Sequence, residues 1–425
     1  MRIAIIGGGF TGLSAAYELT RAGHQVSLFE KESVLGGLAH GWRQPHWLWH
    51  LEHAYHHLFT NDRDILSLID ALGAASQVII KRPVTASLWQ NRMYQFDSAM
   101  HLLRFPGLPL VDKLRTGGLL ALFKALPWWQ PLESVSAERL TKLLGGQKAW
   151  EVIWEPLMAG KFSNYYHDVP ASWLWARIKK RTPRLAYLKG GFNSLISLLA
   201  AAIKNQGGTI YTAATVASLR LQKGSWVVTW STNHEGFDKI LLTVPSAIAV
   251  KLLPPLPAAY ARNLLSISHL HAQILVLETI EPILNDVYWL NITDRSFPFL
   301  AAIAHTNFMD KKYYGGHHLT YFGNYLPPDH PYLSLNKDEL LQTFLPFIKR
   351  LLPGGNSKLS ILNSYLFIGP FAQPVHSLRY SQLAPKLETP LPNVYLANMD
   401  SIYPWDRGTN YAVALGKTAA RKLTE

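Results

Sequence analysis

The alternation of apolar and polar positions divides the chain into short buried strands, amphipathic helices and polar turns. Residues 2–6, Arg-Ile-Ala-Ile-Ile, form a compact apolar run rich in β-branched residues, as expected of a parallel strand buried on both faces. Gly7-Gly8-Gly9-Phe10-Thr11-Gly12 interrupts that run. Leu13, Ala16, Tyr17 and Leu19 then recur at helical spacing, and Gly23 ends the helix. Residues 25–29 predict a second strand, with Glu30 at its carboxyl end. The same reasoning predicts a helix over 65–72, strands at 78–80, 86–89 and 93–94, and helices over 112–126, 136–144, 147–159 and 171–180. A helix over 195–203 stops at Gly207-Gly208 and precedes strands at 209–212, 216–221, 225–230 and 240–245. Longer strands alternate with polar loops at 269–278, 287–291, 299–305 and 318–325, and a helix over 338–352 ends at Pro353-Gly354-Gly355. A strand over 393–400 and a helix over 411–423 close the chain.

The opening strand, turn, helix and strand carry the sharpest chemistry. Gly7, Gly9 and Gly12 fit the spacing G-x-G-x-x-G: the first allows a tight turn, the second a close backbone approach to a pyrophosphate, the third close packing of helix on sheet. Free N–H groups at the helix start hold the phosphate charge. Glu30 stands eighteen residues beyond Gly12, where a carboxylate accepts hydrogen bonds from ribose hydroxyls. A second pair, Gly36-Gly37 before Leu38, lets a loop lie against a cofactor that extends past its own pyrophosphate.

Composition narrows the classes. A chain of 425 residues is long enough for two domains. Cysteine is absent, which removes disulfides, thiolate metal sites and thiol nucleophiles. No run of eighteen uncharged apolar residues is present, and the N-terminal apolar run is too short for a signal peptide, so the expectation is a cytoplasmic protein. The net charge of +13 points to an anionic partner. No helix-turn-helix, zinc or RNA-binding pattern supports nucleic acid. An anionic small-molecule substrate or an anionic membrane surface fits better. Residues 101–190 hold fourteen Lys/Arg against six Asp/Glu, and Arg177–Arg184 is a basic cluster near the apolar helix and Trp128-Trp129. This combination predicts peripheral membrane contact, with a core helix and a solvated basic face as the alternative.

Residues 46–57 contain His46, His50, Glu52, His53, Tyr55, His56 and His57. His53 and His57 would share a face only on a helix, and Glu52 is misplaced for H-E-x-x-H, so no metal site is predicted. The aromatic content reads as strand and loop, and hydrogen-bonded surface histidines are the plain alternative to a functional role.

The motif order G-x-G-x-x-G, acid, Gly-Gly resembles the FAD-dependent superfamily of amine oxidases, protoporphyrinogen oxidases and phytoene desaturases. Further matches are Trp154-Glu155-Pro156-Leu157, Thr243-Val244-Pro245, Phe371-Ala372-Gln373-Pro374, and Ala397 with Asp400 and Tyr403-Pro404. Asn398 and Tyr411 stand where that pattern has glycine. The resemblance implies an α/β fold in which a doubly wound, Rossmann-like FAD-binding domain (1–75, 186–250 and 385–425) interleaves with an α+β substrate domain (76–185 and 251–384). The first substrate-domain segment carries a helical insertion. It implies FAD as cofactor, contacted by Gly7, Gly9, Gly12, Glu30, Gly36, Gly37, Leu38, Val216, Asp400, Thr409, Asn410 and Tyr411, with Asp400 accepting from ribityl hydroxyls. Substrate hydride would pass to flavin N5. The run His53-Ala54-Tyr55-His56 also resembles UDP-galactopyranose mutases, in which flavin acts on a sugar nucleotide without net redox. That likeness would place His53 against the flavin. His53, His56 and Arg407 are the catalytic candidates, and Lys161 a candidate anion contact.

Overall fold

The computed structural model describes residues 1–353 and 358–425. Strand Arg2–Ile6 lies at the centre of a five-stranded, wholly parallel sheet in the order Thr209–Tyr211, Gln25–Phe29, Arg2–Ile6, Lys239–Leu242, Val394–Leu396. Three remote segments thus build one sheet, and its central strand is apolar throughout because both faces are covered: Ile3, Ala4 and Ile5 are wholly buried. Helices Phe10–Arg21, Phe192–Asn205 and Thr409–Thr424 are layered together at this sheet. A three-stranded antiparallel sheet, Val216–Gln222, Ser225–Trp230 and Asn233–Phe237, packs Trp226, Val228 and Phe237 against Phe29 and Ile240. The strand at 233–237 escapes the apolar pattern because Asn-His-Glu-Gly-Phe is mostly polar.

The second large sheet has seven strands, ordered Ile361–Pro374, His269–Thr279, His318–Leu326, Ala301–Ala304, Val287–Ile292, Val84–Trp89, Arg92–Gln95. All its pairs are antiparallel except Val287–Ile292 with Val84–Trp89. Strand Ile361–Pro374 is fourteen residues long, yet only its last three residues are buried, so it has no core-facing signature to read. Helix Lys337–Lys349 begins with a capping box between Asn336 and Glu339. Its predicted Gly354-Gly355 stop lies outside the described residues.

The insertion is helical from Ala99 to Lys180. The helix expected over 147–159 is a composite: Gln147–Ala149, a wide π turn at Trp150–Trp154, then Glu155–Phe162. Pro156 lacks an N–H and cannot continue the ordinary hydrogen-bond ladder, and the wider turn precedes it. Helix Leu110–Ala125 reads as apolar all round, but it buries only one face, Asp112, Thr116, Leu119 and Phe123. Leu110, Val111 and Leu114 are each more than 60% exposed. Among the described residues no helix is long and apolar enough to cross a membrane.

Candidate cofactor and substrate site

Helix Phe10–Arg21 starts from Gly9 without a side-chain cap, which leaves the N–H groups of its first turn available to an anion. Glu30 is buried beside them: Oε2 accepts the Gly8 N–H at 2.7 Å and Oε1 accepts the Glu32 N–H at 3.0 Å. These bonds orient the carboxylate, and each oxygen keeps a second lone pair. The Gly36 N–H donates to the Gly8 carbonyl at 2.9 Å, and Gly37 lies so close to Gly9 that a Cβ there would come 3.3 Å from the Gly9 Cα. Ala214 donates to the Glu30 carbonyl, which brings Val216 to the same edge. Leu38 faces Gly369 of the seven-stranded sheet. An uncapped helix start, a buried carboxylate and interlocked glycines suit the pyrophosphate and ribose of a dinucleotide.

At the other end of the sheet-forming chain, Asp400 is almost wholly buried. Its Oδ1 meets His269 Nε2 at 2.6 Å and its Oδ2 accepts the Ser246 hydroxyl at 2.5 Å. The carboxylate expected to serve ribityl hydroxyls therefore already carries two short bonds within the protein. Asn398 has its own use: Nδ2 donates to the Val244 carbonyl and to Ser246 Oγ, both at 3.0 Å, while Oδ1 accepts the Asp400 N–H. Asn410 Oδ1 accepts the N–H groups of Asp64 and Ile65 and so caps helix Arg63–Ala71, whose N-cap Asp62 makes no side-chain cap bond. Thr409 is buried at the start of the last helix, and the Tyr411 ring lies parallel to Trp405 with 5.6 Å between centroids.

The histidine segment is anchored by Glu52, which sequence reasoning set aside. Its wholly buried carboxylate accepts the Phe192 N–H at 2.7 Å and the Tyr187 hydroxyl at 2.6 Å, and Tyr321 donates to its backbone carbonyl. Burial pushes this carboxyl up to about 7. Beyond it the chain is irregular rather than extended, so His53, Tyr55 and His57 do not line up on one face. His53 stacks on Phe367 at 4.0 Å with Trp42 and His40 beside it, whereas Tyr55 and His57 both pack on Trp289. His56 Nδ1 bonds the Ala54 carbonyl at 2.7 Å, which fixes the proton on Nδ1 and leaves Nε2 with the lone pair. Burial pulls His53 and His56 down to about 4 and His57 to about 3, so all three are neutral at pH 7.

A second cluster joins the insertion to the last loop. Asp406 Oδ2 takes Arg177 at 2.9 Å and Lys161 at 3.1 Å, and Trp173 Nε1 donates to Oδ1 at 3.3 Å. Arg407 points its Nε at Gln373 Oε1, 3.0 Å away, and lies over the Tyr325 ring that Lys161 also covers. Arg177, one of the basic residues expected at a membrane surface, pairs with Asp406 while its side chain stays 40% exposed. Lys180 covers Trp405, and Trp129 packs edge-on against Tyr403. Asp406, Trp173 and Tyr325 went unassigned, since nothing local marks them apart from the polar density of residues 405–410.

A separate cluster of two histidines and one carboxylate, His46, His317 and Glu278, includes the first histidine of the predicted run. Glu278, wholly buried, accepts His46 Nε2 and His317 Nδ1 at 2.7 Å each on Oε1, with Trp47 also on that oxygen. Asn363 and Tyr365 donate to Oε2. His46, Glu278 and His317 are close enough together to offer metal ligands. Their hydrogen bonds account for the buried charge and hold Glu278 down to about 2.

The fold and site define a dinucleotide-binding flavoprotein in which a parallel sheet and a larger antiparallel one share a single chain. The chain belongs to the flavin-containing amine oxidoreductase family, whose pattern it matches over residues 10–424, and it is an FAD-dependent oxidoreductase. It aligns with the zeta-carotene desaturase of Synechocystis sp. at 35% identity over 81 residues, 19% of this chain and only 16% of the desaturase. It superposes on a crystal structure from Exiguobacterium sp. 255-15, provisionally assigned as a protoporphyrinogen oxidase, with a TM-score of 0.78 at 17% identity, covering 99% and 98% of the two chains. Reduced UDP-galactopyranose mutase gives a TM-score of 0.76 at 16% identity over 100% of this chain and 95% of that one. At such identities the likeness is one of fold.

Proposed function

We propose that this protein oxidises a small-molecule substrate by hydride transfer, in the manner of protoporphyrinogen oxidases and desaturases. The observation that carries the reading is the dinucleotide seat, in which the uncapped start of helix Phe10–Arg21 stands beside the buried Glu30 carboxylate and the Gly36 N–H bond to Gly8, in a chain of this oxidoreductase family. When bound, FAD supplies the hydride acceptor at flavin N5. Gly7, Gly9, Gly12 and Glu30 hold its pyrophosphate and ribose, Gly36, Gly37 and Leu38 line its path, and Val216 lies on the adenosine side. Trp42 and Phe367 pack around His53, and Tyr325 lies under Arg407, so that with FAD bound they would line the apolar side of the reacting region. His56 Nε2, neutral and unprotonated, is positioned to take a substrate proton.

His53→Ala is expected to retain FAD, because the pyrophosphate and ribose contacts lie elsewhere, while shifting the flavin reduction potential or its rate of reduction. His57→Ala, which faces Tyr288 and Trp289 instead, leaves both near wild type. Anaerobic photoreduction followed by absorbance reads both quantities; equal effects at the two positions would reduce His53 to a packing residue. A flavin-dependent isomerase of the mutase kind is the second reading, favoured by the cations around Arg407. Steady-state product analysis separates the two, since only an oxidase or dehydrogenase transfers net electrons to an acceptor.

We further propose that the exposed apolar edge of the insertion rests on an anionic membrane surface. Met100, Leu110, Val111, Leu114 and Trp128 are all more than half exposed, and Arg104, Lys113 and Arg115 flank them. Anionic vesicles should co-float the protein at low salt, and neutral vesicles should retain less of it. The double change Val111→Ser, Leu114→Ser should release it from both. Equal partition of the double variant and the parent would remove this edge as the contact.

A further inference from the structure

The family's name suggests amine substrates, but the charge of the cluster around Asp406 has the wrong sign for them. Lys161 and Arg177 both pair with a single carboxylate, Asp406, and Arg407 lies over the same Tyr325 ring that Lys161 covers. Lys161 is 9% exposed, and both of its aromatic neighbours, Trp173 and Tyr325, present ring faces to cations. Asp406 can neutralise only one of the three. Even with Lys161 deprotonated, two half-buried guanidinium groups stand near one carboxylate, so the cluster keeps a positive surplus that an anionic ligand would complete. Arg407 is the group with capacity to spare. Among the described residues its Nε alone has a protein hydrogen-bond partner, Gln373, so its terminal nitrogens keep the planar fork that fits a carboxylate or phosphate. Gln373 is itself fixed, being wholly buried with Nε2 on the Pro374 carbonyl. The cofactor's own pyrophosphate does not account for these cations, since its glycine turn and helix start belong to residues 7–12.

We infer that Arg407, supported by Arg177 and Lys161, binds an anionic group of the substrate, a carboxylate or a phosphate, and that the site repels protonated amines. This rests on the reading that the cluster lies beside bound flavin. Burial and the two arginines draw Lys161 down to about 7, so a bound anion would also restore its proton.

The test uses the flavin-loaded protein at constant ionic strength. Inorganic phosphate, diphosphate, succinate and putrescine are each titrated by calorimetry, with the flavin absorbance bands recorded in parallel. Saturable binding of at least one anion is expected, with none for putrescine, and the preferred probe separates phosphate from carboxylate recognition. Arg407→Gln should weaken that anion at least tenfold, with Arg407→Lys intermediate; if the glutamine variant does not retain FAD, Lys161→Met serves in its place. No saturable anion binding, tighter binding of putrescine, or an affinity unchanged by these substitutions would overturn the inference. Anion binding that depends on Arg407 but leaves the flavin bands unmoved would keep the anion site and sink its placement beside the flavin.

Discussion

Gly9→Ala is expected to yield a folded protein that purifies colourless. A Cβ at Gly9 meets no atom of the described residues within 4 Å, and the residue's φ of −74° and ψ of 178° suit alanine, so the apoprotein has no reason to be strained. The methyl would instead project beside the uncapped helix start, where the pyrophosphate has to approach the backbone. Overpacking of this kind costs about 1–3 kcal/mol, roughly 5- to 150-fold in FAD affinity. Gly12→Ala is the contrasting case. Its Cβ would fall on the Gly7 carbonyl oxygen, a backbone atom that cannot step aside, so fold and cofactor should be lost together. Thermal denaturation of the apoproteins with FAD reconstitution reads both effects. Normal FAD content in Gly9→Ala would show that the turn is not the cofactor's seat.

Acid lability is the second large effect. Burial depresses His53, His56 and His376 to about 4 and His57 and His305 to about 3. A histidine whose folded value lies below its unfolded value contributes stability above pH 6.5 and loses it as pH falls through the folded value. At about 1.4 kcal/mol per unit, the three at about 4 are worth roughly 3 kcal/mol each, and His57 and His305 roughly 5. Glu52, raised to about 7, and Asp62, raised to about 6, run the opposite way and stabilise the fold below their unfolded values. Five histidines outweigh two carboxyls. The surplus, even halved for solvent access, is on the order of 5 kcal/mol, comparable with the whole stability of a typical domain. Cooperative unfolding with flavin release is therefore expected between pH 6 and 4. His376 is the diagnostic position, since it is 1% exposed and neither ring nitrogen has a hydrogen-bond partner among the described residues. His376→Leu sacrifices no bond and should move the acid midpoint down. A parent protein that keeps its near-ultraviolet circular dichroism below pH 4 would contradict the argument.

Much of this molecule was determined by the sequence alone. Strands Arg2–Ile6 and Gln25–Phe29, the intervening glycine turn and helix, and Glu30 all lie within thirty residues, and their spacing is set by local geometry: period two in a strand, 3.6 in a helix, positive φ at a turn. Four helices of the insertion followed from the same periodicities, while the short helix Ala99–Arg104 did not. Polar pairings between remote segments were decided only by the tertiary structure. Arg177 reads as one of a run of surface cations, and its pairing with Asp406, 229 residues away, is set only by the fold. Glu52 looked like part of a histidine-rich loop until Tyr187 and Phe192 closed on it, and Asp400 looked free until Ser246 and His269 did the same. A single polar residue has no period, and the partner that pays for its burial lies on another strand or helix. The fold was therefore legible from local pattern, whereas the charge of the site emerged only when three distant segments met.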